Sequence, residues 1–356
     1  MAAYTTIDDP SAYFKVQLYT GNGSANHAIT FDDTDTDMQP DFVWIKNRDT
    51  SDSHCLFDAA RGATKVIHSD TSGGESTDAD TLDSFTSDGF QVDADVKVNT
   101  NTEKYVAWCW SAGTGAGSSN TTGTINTTTT SVNTTSKFSI STYTGNDTAG
   151  GNFGHGMGAV PHTILIQSRE GDTWRVYHHK NTAAPETDYL KLDTSAATVD
   201  SATAWNDTAP SSTIITLGTS GNLNESAHTY ISYAWSGVQG FSKFGGYTGN
   251  ANADGPFIYL GFKPAFFMLK RNGGGYNYYM SDNKRFTGSE TANPSHSKQN
   301  ADESAADEVH PVIDFLSNGV KIRSTDTTVN AAVTHVYWAF AEAPFVNSSG
   351  VPNNAE

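Results

Sequence analysis

An all-β chain of tandem antiparallel β-sandwich, jelly-roll-like repeats is the fold this sequence predicts, and three observations carry it. The first is a landmark, Tyr19-Thr20-Gly21-Asn22, which returns as Tyr143-Thr144-Gly145-Asn146 and as Tyr247-Thr248-Gly249-Asn250. The second is that its flanks return in step. A proline-led apolar run begins at Pro40, Pro161 and Pro264, and an aromatic strand closes each copy, centred on Trp108, Tyr233 and Trp338. Ordered landmarks at matching offsets mark a diverged triple repeat. The third is composition: 356 residues rich in Thr, Ser, Asn, Asp and Gly, with 11% aromatics. Thr, Ser and Asn compete with a helical backbone and Gly is costly there, whereas short strands joined by polar turns suit the mixture.

Taken in order, residues 1–13 read as an entry arm with a turn at Asp8-Asp9-Pro10-Ser11. The first sandwich spans 14–112. Phe14, Val16 and Leu18 alternate with Lys15, Gln17 and Tyr19, the period-two signature of a half-buried strand. Phe42-Val43-Trp44-Ile45 is apolar on both faces, as a strand covered on each side must be. In the closing strand Val106, Trp108 and Trp110 share a face, with Ala107 and Cys109 opposite, so large side chains are expected inside and small ones outside. Residues 113–137 read as a Thr/Ser/Gly/Asn-rich linker, which would place the first unit on a long tether. The second and third sandwiches span 138–236 and 241–345, joined almost directly, and 346–356 form a polar tail.

The run Pro40-Asp41-Phe42-Val43-Trp44-Ile45-Lys46-Asn47-Arg48, then Phe57-Asp58-Ala59-Ala60-Arg61-Gly62, Asp88-Gly89-Phe90 and Tyr105-Val106-Ala107-Trp108-Cys109-Trp110, resembles a poorly characterised repeat domain. That domain is met in virion structural and tail-associated proteins of tailed, often marine, phages. The second and third units keep only its strand skeleton. The resemblance implies a phage particle; it brings no catalytic residues.

The net charge of −18 repels phosphate backbones and makes nucleic acid an unexpected partner. No apolar stretch reaches the length of a membrane span and no secretory leader is evident, so a product made in the host cytoplasm and carried in the virion is expected. Asp32-Asp33-Thr34-Asp35-Thr36-Asp37 lacks the glycine and distal glutamate of an EF-hand, leaving calcium as the one cofactor still open. Asp188, Asp193 and Asp200 are a weaker, scattered set of acids. His178 and His179 are adjacent, would point to opposite faces of a strand, and are expected at the surface. Asp58 with Glu103, or Asp41 with Asp58, are the imaginable acid pairs for glycoside cleavage, but His178 and Ser281 stand near Asp58 in the other copies. Arg61 is expected to brace Asp58. Cys55 and Cys109 leave the disulfide state open.

Two surface features remain. Tyr276, Tyr278 and Tyr279 follow Gly273-Gly274-Gly275 and read as an aromatic tip for a host-surface glycan. Phe266 and Met268 stand where the second unit has Thr163 and Leu165, and so predict an apolar assembly surface for a homo-oligomer or another virion protein. The expectation is a non-enzymatic virion structural protein on the particle surface, as a head decoration or a tail component, with a glycan-binding adhesin as the alternative.

Overall fold

The computed structural model describes residues 4–31, 36–113, 115–285 and 297–352, and they form a nearly all-β molecule. Each repeat opens and closes on neighbouring strands. Opening strands Phe14–Thr20, Phe138–Thr144 and Ser242–Thr248 pair antiparallel with closing strands Lys104–Trp110, Thr229–Trp235 and Thr334–Pro344. Next to each closing strand lies a middle strand, Phe42–Asn47, Thr163–Ser168 or Phe262–Arg271. A side strand follows, Cys55–Asp58, Arg175–His178 or Tyr279–Asp282. The order opening, closing, middle, side thus recurs in three main sheets. Pro40 and Pro161 precede their middle strands, where a missing N–H costs nothing. Pro264 lies inside its strand, and the register shifts on both sides of it.

A smaller antiparallel sheet covers one face of each main sheet. In the first unit it holds His27–Thr30, Leu82–Thr86 and Gly89–Val92. Ile29, Phe90 and Val92 from it pack on Val43, Ile45, Ala107 and Cys109 from the main sheet. The small face of the closing strand is therefore not outside: Ala107 and Cys109 are fully buried, and their size lets the second sheet come close. Both cysteines are free thiols.

The second face of every main sheet, the one bearing the large aromatics, turns to the middle of the molecule. There Trp110, Trp235 and Phe340, equivalent in the three closing strands, meet with ring centroids 6.1, 5.4 and 6.5 Å apart. Phe42 stacks on Tyr233 at 4.4 Å, and Phe14 on Phe340 at 5.0 Å. The void left among them is about 20 Å³, so three units share one close-packed centre.

Two sequence expectations change here. The first unit is not tethered apart, because its aromatic face is the core it shares with the other two. The segment expected as a linker carries strand Thr127–Asn133, which adds to the outer edge of the opening strand Phe138–Thr144. Its β-branched threonines suit a strand as well as a loop, and Thr129 and Thr142 join hydroxyls across the pair at 2.8 Å.

Candidate functional site

The repeated Tyr-Thr-Gly-Asn landmark is a clamp between the opening strand and the turn that leads into the closing strand. Tyr19, Tyr143 and Tyr247 donate their hydroxyls to the carbonyls of Val98, Leu223 and Val329, at 2.7, 2.7 and 2.5 Å. The backbone N–H groups of Asn22, Asn146 and Asn250 donate to the side-chain oxygens of the fully buried Asn99, Asn224 and Asn330 at 2.8–2.9 Å. The landmark glycine is obligatory. A Cβ on Gly21, Gly145 or Gly249 would lie 2.1–2.3 Å from a carbonyl oxygen of that turn. The partner asparagines were missed from sequence, although Val98-Asn99, Leu223-Asn224 and Val329-Asn330 recur just ahead of each closing strand.

The candidate acids are likewise built into structure. Asp58 accepts from the backbone N–H of Arg61 at 2.9 Å, from its Nε at 2.5 Å, and from the Tyr233 hydroxyl at 2.6 Å. Arg61 is the brace expected, and it reaches on to Glu75, which Arg169 of the second unit grips with two nitrogens at 2.8 and 2.9 Å. The same assembly recurs one interface along. Asp282 accepts from Arg285 Nε at 2.5 Å and from Trp108 Nε1 at 3.1 Å, Arg285 reaches Asp307, and Asp307 takes Arg48 of the first unit at 2.7 Å. Strand register places Asp282, not Ser281, opposite Phe266, where Asp58 stands opposite Phe42. At the third interface His178 takes the place of the aspartate, and Trp338 donates to Thr163 Oγ1 at 2.9 Å. One backbone bond repeats at all three boundaries: Glu75 to Arg169, Asp307 to Arg48, and Thr198 to Asn272, at 2.8–2.9 Å.

No pair of acids is left poised for catalysis in these places. Asp41 caps the N–H groups of Ala112 and Gly115, and Glu103 accepts from Asn47. Asp188 and Asp200 are partners across two short strands. Among the described residues no three His, Cys, Asp or Glu side chains gather as metal ligands. Residues 32–35 of the acid cluster lie outside the described residues. Gly154 ends a strand of the smaller sheet, and Gly156 and Gly158 follow it in a loop.

The two surface features are corrected. Tyr278 and Tyr279 are fully buried: Tyr279 opens the side strand and packs by His310, while Tyr278 just ahead of it lies against Trp338; of the three only Tyr276 stays partly open, under Arg271 at 4.1 Å. They form no aromatic tip. Phe266 and Met268 are 2% and 3% exposed. Phe266 meets Trp108, Trp110 and Phe14, so the apolar surface expected to seek a partner is covered by the first unit of the same chain.

His178 is also buried, not at the surface. Its Nε2 donates to the Tyr337 carbonyl at 3.2 Å, and its Nδ1 accepts from the Lys180 N–H. His179 donates from Nε2 to the Phe244 carbonyl at 2.9 Å and stacks on His162 at 4.2 Å. The His162 and His179 rings border a cleft of about 620 Å³ along the outer edge of the opening strand Ser242–Thr248, between the second and third units. Lys180, Lys243, Tyr259 and Tyr4 complete its rim.

Burial makes folding sensitive to acid. It pushes His178 down to about 3 and His335 and His162 down to about 4, so these rings are neutral when folded. The stability they contribute is complete above the ordinary value of 6.5 and is lost progressively as the pH falls towards 4. Asp193 and Asp302 act oppositely: burial raises each to about 6, and protonation on acidification relieves them. At about 1.4 kcal/mol per pH unit between folded and unfolded values, the histidines outweigh the two aspartates. The thermal midpoint should therefore fall from pH 6.5 to 4.5. It should fall further over that interval in an Asp193→Asn, Asp302→Asn double variant. A midpoint that rises on acidification would show that the aspartates dominate.

No curated protein and no solved structure matches the chain. Residues 9–344, all three sandwiches and the shared centre between them, match a single family profile, and the chain belongs to that family, the domain of unknown function DUF7483.

Proposed function

We propose that this protein is a non-enzymatic structural component exposed on the surface of a phage particle. The observation that carries the reading is the fate of the buried charge. The Asp58–Arg61–Glu75–Arg169 and Asp282–Arg285–Asp307–Arg48 chains each end in a neighbouring unit, where they lock three sandwiches into one body. Asp58 and Asp282, the acids at the heart of these chains, are held by several donors each and serve rigidity. A rigid, acidic, all-β block with a polar exterior is what a component of a particle surface requires; the link to phages rests on the resemblance of the first unit.

The test is to raise an antibody against the chain and label purified particles from a producing lysate. Labelling at the head vertices or faces, or along the tail, is expected and would also separate a decoration from a tail component. Protein found only in the unassembled fraction would overturn the reading. Release of reducing sugar from host polysaccharide by the purified chain would overturn its non-enzymatic part.

A further inference from the structure

The cleft along Ser242–Thr248 combines an open strand edge with a local exchange of residues. In the second unit the matching strand edge is covered by Thr127–Asn133; in the first and the third, no strand among the described residues covers it. Position 245 is glycine, where the other units have Gln17 and Ser141. The closing-strand residue opposite it is Tyr337, where they have Ala107 and Ser232. The exchange is coupled, since a Cβ on Gly245 would lie 2.3 Å from the Tyr337 hydroxyl. Tyr337 is 3% exposed, borders the cleft, and its hydroxyl has no hydrogen-bond partner among the described residues.

The electrostatics of the cleft run against those of the chain. In a protein of net charge −18, its lining among the described residues holds two cations, Lys180 and Lys243, beside the His162 and His179 rings that burial keeps neutral, and no carboxylate. Lys243 donates to the Tyr259 carbonyl at 2.7 Å and sits over that ring at 5.5 Å, with no acid paired to it among the described residues. His162 accepts the Gly237 N–H on Nδ1, which leaves its Nε2 as a donor. Tyr259 and Tyr4 are each 54% exposed beside these cations.

We propose that this cleft binds an acidic saccharide, a sugar whose ring carries a carboxylate. Lys180 and Lys243 meet the carboxylate, Tyr259 and Tyr4 provide aromatic faces for the ring, and the Tyr337 hydroxyl and the Gln239 amide serve its hydroxyls. A bare phosphate or sulfate would favour arginine forks or a helix N-terminus, and the lining has neither. An acidic peptide added as a strand would need the whole edge. Ser242 is already bonded to Val238 through its N–H and its carbonyl, and the Phe244 carbonyl takes His179. The proposal goes beyond the assembly reading and stands or falls without it, because its test uses the purified full chain and no particles.

Isothermal titration with oligomers of galacturonate, glucuronate and N-acetylneuraminate, each beside its neutral methyl ester, tests the assignment. At least one acid should saturate the chain below about 10 mM and bind roughly tenfold more tightly than its ester, with affinity falling as salt rises. Lys180→Ala, Tyr259→Ala and Tyr337→Phe should each weaken it at least about threefold while the thermal midpoint stays in place. Lys180 and Tyr259 are exposed and Tyr337→Phe removes one oxygen, so folding is spared. Equal binding of ester and acid would overturn the proposal. So would equal competition by inorganic sulfate, failure of all three acids to saturate, or indifference to all three substitutions.

Discussion

An Arg285→Ala variant is expected to lose about 3–5 kcal/mol of folding stability, the usual cost of removing one partner from a buried ion pair. Arg285 has no exposed surface. It serves Asp282 through its N–H and Nε, Asp307 through Nη1 at 2.8 Å and the Met280 carbonyl through Nη2 at 3.2 Å, and it packs 5.3 Å from the Trp108 ring centroid. Without it two carboxylates stay largely out of water with no cation between them, and the link to Arg48 of the first unit loses its middle. Lysine should rescue poorly, since a point charge cannot occupy the fork. Urea unfolding of Arg285→Ala, Arg285→Lys and a surface control, Arg323→Ala, measures this. The control breaks an exposed pair with Asp314 and should cost under about 1 kcal/mol. A loss at Arg285 no larger than the control's would mean the inter-unit charge chain does not hold the units.

The second large effect is at the centre. Phe266→Thr should cost about 3–5 kcal/mol, the range for emptying a buried aromatic position. Threonine is what the second unit carries there, and the contrast explains why the exchange fails. Thr163 donates to the Tyr177 carbonyl at 3.0 Å and accepts from Trp338 Nε1 at 2.9 Å, so its hydroxyl is satisfied. At position 266 the corresponding indole, Trp108, already donates to Asp282. A threonine would meet a hole lined by Phe14, Trp108 and Trp110 and would lack the indole donor that Thr163 enjoys. Thermal denaturation with a dye for exposed apolar surface would register the loss. Unchanged stability joined to weaker self-association would restore the outward-facing reading of this position.

These two sites also show where sequence reasoning succeeds and stops. The strands were legible because period-two alternation and a thrice-repeated landmark are local signals, and so the all-β class followed directly. The both-sided apolarity of Phe42–Ile45 correctly announced a covered strand. What covers it was invisible, because Phe42 meets Tyr233 almost two hundred residues on, and no local pattern encodes that pairing. Phe266 was read as outward by analogy with Thr163, yet the threonine itself faces inward, its polarity accounted for by one indole. The Asp-x-x-Arg brace was seen at Asp58 and lost at Asp282 through a one-residue misalignment, since Asp282-Asn283-Lys284-Arg285 keeps only its ends. A threonine-rich strand and a threonine-rich tether look alike in composition, which is why Thr127–Asn133 was read as linker. The cleft draws Tyr4, His162, Lys243 and Tyr259 from four distant segments, so nothing short of the assembled fold could expose it.

The meeting of Trp110, Trp235 and Phe340 sets a timetable for the nascent chain. When the first sandwich has left the ribosome, its face of Phe14, Phe42, Trp44, Trp108 and Trp110 has nothing to lie against. The acceptor for the Trp108 indole is 174 residues downstream, and Phe340 follows still later. The early product must therefore wait with its aromatic side bare, in reach of holding chaperones or of other unfinished copies, until the strands that carry Asp282 and Phe340 have emerged. Ribosome-bound intermediates halted after residue 136 should be captured by such chaperones, and emergence of the strand Thr334–Pro344 should free them in one concerted step.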